Sequence, residues 1–149
     1  MVDRTAVGRV GPEFEMVIER GKIREFARAT FSEHEEYLNA PAPVCEPTFL
    51  TTMIFWQGDD VSPWSAVNMN QERGLHAAQE FVFFGPPPAA GSTLRARSTI
   101  TDIYEKEGKR GGLLTFVVMT TDFRLDDGTL VAQSILTGVE TARPPEGES

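Results

Sequence analysis

Long runs of strand character dominate the second half of the chain and limit its fold more than any other feature. From Gly91-Ser92 onward, Leu94, Ala96, Ser98, Ile100, Asp102 and Tyr104 recur at every second position, which predicts one face of a long strand. Glu105 to Gly112 reads as a charged, glycine-bearing turn, and Leu113 to Leu125 as another strand, rich in Thr, Val and Phe. Asp126-Asp127-Gly128 is a hairpin signal, after which Thr129 to Thr141 completes the set. Upstream, His76 to Phe84 is a strand that Gly85-Pro86-Pro87-Pro88 must end.

The first half supplies what such strands close over. Phe14, Met16 and Ile18 alternate with Glu15, Val17 and Glu19 as in a half-buried strand, and Gly21 breaks the pattern. From Lys22 the spacing turns helical: Ile23, Phe26 and Ala27 fall on one face, while Lys22, Arg24, Glu25 and Arg28 are left for solvent. The polar stretch Ser32-Glu33-His34-Glu35-Glu36-Tyr37 cannot sit in a core. Pro41 and Pro43 stiffen the approach to Cys45-Glu46-Pro47-Thr48-Phe49-Leu50-Thr51-Thr52-Met53-Ile54-Phe55-Trp56. Pro47 suits the first turn of a helix, and this one is apolar on nearly every side, so it is predicted to be fully enclosed. Between Gly58 and Gly74 a loop is expected, with Trp64 and Met69 packing down.

One enclosed helix ahead of several long antiparallel strands is an α+β arrangement. Its exposed sheet edges call for a partner, most simply a two-fold pair. The expected division is a loose lead-in over residues 1–12, a single domain over 13–141 and a disordered tail over 142–149. At 149 residues there is length enough for a sizeable core. A net charge of −8 argues against gripping nucleic acid or an anionic membrane surface, although a local basic groove could still hold an anion such as coenzyme A. A single cysteine excludes an intrachain disulfide and suits a reducing cytoplasm. The start shows no signal-peptide pattern, and no run approaches the roughly 20 apolar residues of a membrane helix. A cytoplasmic location is therefore expected.

Several segments, in order and over residues 13 to 141, resemble MaoC-like dehydratases of the N-terminal, FAS1-like type. They are Ile23-Arg24-Glu25-Phe26-Ala27-Arg28-Ala29, Pro47-Thr48-Phe49-Leu50, Leu75-His76-Ala77-Ala78-Gln79-Glu80-Phe81 and Pro88-Ala89-Ala90-Gly91-Ser92-Thr93-Leu94. Asp102-Ile103-Tyr104-Glu105-Lys106 and Phe123-Arg124-Leu125-Asp126-Asp127-Gly128 continue the series. The resemblance extends to non-catalytic subunits of two-chain hydroxyacyl-acyl carrier protein dehydratases. It implies a hot-dog fold, an antiparallel sheet wrapped around the helix from Pro47, and a side-by-side dimer with acyl thioesters along the seam. It also implies acyl-CoA or acyl-acyl carrier protein as ligand and no cofactor.

Hydrating an enoyl thioester requires a group that holds and deprotonates water, a proton for the α-carbon and donors to the thioester oxygen. Catalytic members of the family are implied to place Asp and His in an Asp-x-Asn-Pro-x-His motif. Registered on Phe26-Ala27-Arg28-Ala29, Ser32 falls where Asp belongs and Tyr37 where His belongs. A serine hydroxyl is a poor base, and a phenol with pKa about 10 is mostly protonated near neutrality. A shift of one residue offers Glu33 but replaces the histidine by Leu38.

Stand-in bases to weigh are His76, Glu80, His34 and Glu46, each set against a bland role such as a solvated loop histidine or a backbone hydrogen bond. Strand alternation is expected to put His76, Ala78 and Glu80 on one face and Gln79 on the other. Phe49, Thr52, Met53, Trp56, His76 and Phe81 are the candidate acyl-binding residues. Cys45 reads as a small buried hydrophobe, and Asp59, Asp60, Asp102, Asp126 and Asp127 lack metal-ligand spacing, so no metal is expected. Three functions remain open. They are an acyl-thioester-binding subunit whose homologous hot-dog partner supplies Asp and His, a stand-alone homodimeric hydratase or thioesterase, and a non-enzymatic ligand-binding or assembly domain.

Overall fold

Alternating burial along the strands builds a single antiparallel sheet in the computed structural model, which describes residues 1–58, 62–109 and 111–142. Its strands are β1 (Phe14–Val17), β2 (Gly74–Phe83), β3 (Thr93–Glu107), β4 (Leu113–Arg124) and β5 (Leu130–Glu140). Their order across the sheet is β1-β3-β4-β5-β2. The strands β3, β4 and β5 follow one another as hairpins, while β1 and β2 close the two edges. Two helices, α1 (Arg20–Ala29) and α2 (Glu35–Asn39), and a 3-10 segment, Phe49–Phe55, precede β2. This is the hot-dog arrangement.

The inner face of the sheet carries two apolar clusters. One joins Phe14, Met16, Leu94, Ala96, Phe123 and Ala132 of the strands to Ile23 of α1 and to Phe49, Leu50 and Met53 of the central segment. Phe26 and Phe49 meet edge to face with ring centroids 5.6 Å apart, a favoured aromatic geometry that locks α1 to that segment. The other joins Ile100, Val117 and Met119 to Val67 and to Val2 and Ala6 near the N-terminus. Between them lies a buried polar row. The Ser98 and Thr121 hydroxyls share a hydrogen bond of 2.7 Å, and Gln79 Nε2 donates to Ser134 Oγ at 2.8 Å. Each group is satisfied by its neighbour, as burial demands.

The central segment departs from the fully enclosed helix expected from its composition. It winds as a 3-10 helix that buries Phe49, Leu50, Thr52 and Met53, while Ile54 is 61% exposed and Phe55 68%. One five-stranded sheet covers only one side of a rod, and α1 covers little more. The first twelve residues, expected as a loose lead-in, instead pack on the sheet: Val2 and Ala6 are buried, and Val10 bridges to Thr99. The helix α1 begins at Arg20 and takes in Gly21, which was expected to break the pattern. The polar stretch after it folds partly as α2, with Tyr37 at the margin of the core.

Two β-bulges shift the strand phase. In β3 the register slips between Ile100 and Asp102, so Ile103, rather than Asp102 or Tyr104, continues the inner face opposite Val117. In β2 it slips between His76 and Ala78. His76 then stands opposite Gly138, on the face of Gln79 and Phe81, whereas Ala78 and Glu80 take the other face. This reverses the grouping that plain alternation predicts. The tail from residue 143 and the pair Asp59 and Asp60 lie outside the described residues.

Candidate functional site

Helix α1 ends where the family-like catalytic loop should stand. Its last turn closes with the Phe31 N–H donating to Arg28 O at 3.2 Å and the Ser32 N–H donating to Ala27 O at 2.8 Å. That closure needs a left-handed residue after the helix, a place usually held by glycine. Here it is Phe31, with φ 57° and 90% of its surface exposed. The chain then turns back into α2, leaving an open cleft of about 470 Å³ between the two helices. Arg24, Arg28, Phe31, Ser32, Glu33 and Asn39 line it, over Leu38.

Ser32, at the degenerate Asp position, therefore faces a cleft. Tyr37 does not line it, and its ring meets His34 nearly at right angles, with centroids 5.8 Å apart. His34 is otherwise exposed. On β2, His76 is also exposed, and its Nε2 lies 3.0 Å from Ala78 O, the bland backbone role weighed against catalysis. Among the described residues no ion pair joins either histidine to a carboxylate. The Glu80 carboxylate, on the opposite face from His76, has no hydrogen bond or ion pair among the described residues either.

Glu46 is only 6% exposed and sits just ahead of the central segment. It accepts one long hydrogen bond, from Thr30 Oγ1 at 3.4 Å, which ties it to the end of α1. Its neighbour Cys45 is buried, and burial pushes that thiol up to about 12, with the Glu46 carboxylate adding to the rise against a lowering backbone hydrogen bond. A thiol so placed is an inert hydrophobe, not a nucleophile.

The candidate acyl-lining residues fall into one neighbourhood with one exception. Phe49 and Met53 are core, with Trp56 and Phe81 packed at its margin. Thr52 is buried beside them, its hydroxyl donating to Phe49 O at 2.8 Å. His76 is not part of that cluster. Missed by sequence reasoning were Arg24, Arg28, Phe31 and Asn39. The only available signal was the four-residue spacing of the two arginines, which reads equally well as an ordinary solvated face.

No group of three or more His, Cys, Asp and Glu residues gathers to hold a metal among the described residues. No helix there is long and apolar enough to cross a membrane.

Residues 5–134 match the family model described as FAS1-like, dehydratase domain region. A UPF0336 protein of Streptomyces griseus is 28% identical over 116 residues, covering 72% of this chain and 77% of that protein. Among solved structures, the HadBC (3R-hydroxyacyl-ACP dehydratase) complex of Mycobacterium tuberculosis matches with a TM-score of 0.70 and 27% identity, over 90% of this chain and 96% of that one. The ChsH1-ChsH2 complex of the same organism matches with a TM-score of 0.70 over 98% of this chain and 90% of that one, at 12% identity, which shows a shared fold.

Proposed function

From the chain's membership of the FAS1-like dehydratase family, among the MaoC-like hot-dog proteins, we propose that it is an acyl-thioester-binding subunit without a hydration dyad of its own. The observation that carries this reading is chemical. Ser32 stands on the cleft where a water-holding carboxylate is called for, Tyr37 is turned away, and neither histidine pairs with a carboxylate among the described residues. General-base hydration needs that pair within hydrogen-bond reach of one water. On this reading the chain shapes the pocket for an acyl-CoA or acyl-acyl carrier protein in the cytoplasm. A homologous hot-dog subunit lends the Asp and His. That two of the similar structures are complexes of two named subunits, HadBC and ChsH1-ChsH2, supports such pairing.

The test mixes the purified chain with a catalytic MaoC-type subunit and follows enoyl-thioester hydration. A complex with raised or redirected activity is expected. No complex and no change in activity would remove the reading.

A second reading rests on Glu46. A carboxylate this buried, with one long hydrogen bond, is the best-placed base within the chain for hydrolysing or hydrating a thioester unaided. Turnover by the lone protein, abolished in Glu46→Gln, would favour it over the first.

A further inference from the structure

Ser32 stands just past the end of α1, on the cleft whose walls also carry Arg24 and Arg28. The two arginines lie one helical turn apart. Neither guanidinium meets a carboxylate within ion-pair distance among the described residues. Nearby acids are engaged elsewhere. Glu25 pairs with Lys22 at 2.9 Å, Glu35 accepts from Asn39 Nδ2 at 2.6 Å, and Glu36 accepts from the Val44 N–H at 3.4 Å. The Ser32 hydroxyl is equally uncommitted. It accepts one long hydrogen bond, from the His34 N–H at 3.5 Å, and its own proton has no acceptor among the described residues. Ser32 is partly exposed, on the turn that begins at the solvent-exposed Phe31. After it the chain reads Glu33-His34-Glu35-Glu36, with acids at the first, third and fourth places beyond the serine.

We propose that Ser32 is a site of phosphorylation, and that Arg24 and Arg28 hold the added phosphate across the cleft. A serine on an exposed turn, followed by acids, is the charge pattern that a kinase with a basic substrate groove selects. The Ser32 oxygen attacks the γ-phosphorus of a nucleoside triphosphate. A bond forms between them as the bond from that phosphorus to its bridging oxygen breaks. The nucleoside diphosphate leaves, and the hydroxyl proton passes to the kinase's base. The product brings close to two negative charges beside two positive ones. The end of α1 and the Glu33 carboxylate both disfavour an anion here, through the helix dipole and like charge. Two guanidinium forks outweigh them, because each binds phosphate oxygens two at a time and stays charged at any physiological pH. A phosphate so held fills the place where thioester chemistry is expected, and so switches the site off. That last step rests on the thioester-binding reading; capture of the phosphate by the arginines does not.

The test uses the full-length chain unmodified, treated with an acidophilic serine kinase and ATP, and made with phosphoserine in place of Ser32. Mass spectrometry of the treated chain should find phosphate on Ser32, and none there in Ser32→Ala. In the chain made with phosphoserine, phosphorus NMR should show the second ionisation of the phosphate below that in a peptide of the same sequence. Nearby cations favour the dianion. The double variant Arg24→Ala/Arg28→Ala should return it to the peptide's value, and Arg24→Lys/Arg28→Lys should keep part of the shift. Both arginines are exposed, so circular dichroism should show the variants folded. Calorimetry with an acyl-CoA, with any hot-dog subunit that co-purifies, should show binding weakened about tenfold or more by the modification. A Ser32 left untouched by the kinase, or a phosphate that titrates as in the peptide with or without the arginines, would overturn the proposal. A captured phosphate with unchanged acyl-CoA affinity would overturn the switch. An unmodified chain that binds no acyl-CoA would remove the thioester reading and the switch with it, and leave the phosphate site to stand on its titration.

Discussion

Cys45 shows how burial turns a reactive residue into a structural one, and how that choice becomes a dependence on pH. An ordinary thiol ionises near 9.0, whereas this one, folded, is pushed up to about 12. When the folded value lies above the unfolded one, stability is intact below the unfolded value and falls as pH rises toward the folded one. Above pH 9.0 the unfolded chain gives up a proton that the folded chain keeps, so the loss runs from there to about 12. Its slope is at most about 1.4 kcal/mol per pH unit. Wild type and Cys45→Ala, unfolded by denaturant below and above pH 9.0, should show a stability gap that narrows at the higher pH. A constant gap would mean that the thiol is not shielded. Phe31 makes the opposite trade. Its left-handed backbone disfavours folding by about 1 kcal/mol, and its ring, 90% exposed, recovers little of that by burial within the chain.

Strands and helices were legible wherever local chemistry set their period, and unreadable wherever a neighbour reset it. The long alternations in β3, β4 and β5 and the Asp126-Asp127-Gly128 turn announced the sheet, because side-chain period and turn residues are local properties. The bulges at Thr101 and Ala77 could not be read, since an extra residue leaves no compositional mark, and they move Asp102, Tyr104, Ala78 and Glu80 off the face expected for them. The central segment was legible as apolar but not as half-exposed, because exposure depends on how far the sheet reaches around it. The cleft was legible only at Ser32, since nothing in the sequence tells an arginine beside a cleft from one in open solvent. Gly138 was silent too, although the fold depends on it. It lies under the ring of Trp64, where an added Cβ would come within 2.8 Å of two ring carbons. Glycine within a strand often marks such a close approach. Gly138→Ala should therefore lift the indole off β5 and cost about 1–3 kcal/mol. The lower midpoint should come with a red-shifted tryptophan emission. An unchanged melting curve would place the indole elsewhere.

At the scale of the whole molecule, the sheet is finished on one side and open on the other. The β1 edge is short, at four residues, and Glu15 on it, paired with Arg95 of the neighbouring β3, puts charge there against further pairing. The β2 edge is ten residues long, from Gly74 to Phe83, and holds no Lys, Arg or Pro, the residues with which sheets guard an open edge. Leu75, His76, Ala77 and Ala78 are all exposed along it. An edge of this length is suited to pairing with another strand, its bulge between His76 and Ala78 and the Glu80 charge limiting where flat pairing can run. On the proposed shared-site reading, a second hot-dog subunit would continue the sheet here and bring its catalytic groups beside this chain's pocket. Ala78→Lys places a charge on that strand without touching the core. A charge on an edge strand opposes strand-to-strand pairing, which should weaken association through this edge about threefold or more. Sedimentation should show wild type as a pair, with itself or with its catalytic partner, and the variant shifted toward the monomer while its melting curve as a monomer is unchanged. A wild type that stays monomeric with and without a partner would leave this edge unexplained and undo the shared-site reading with it.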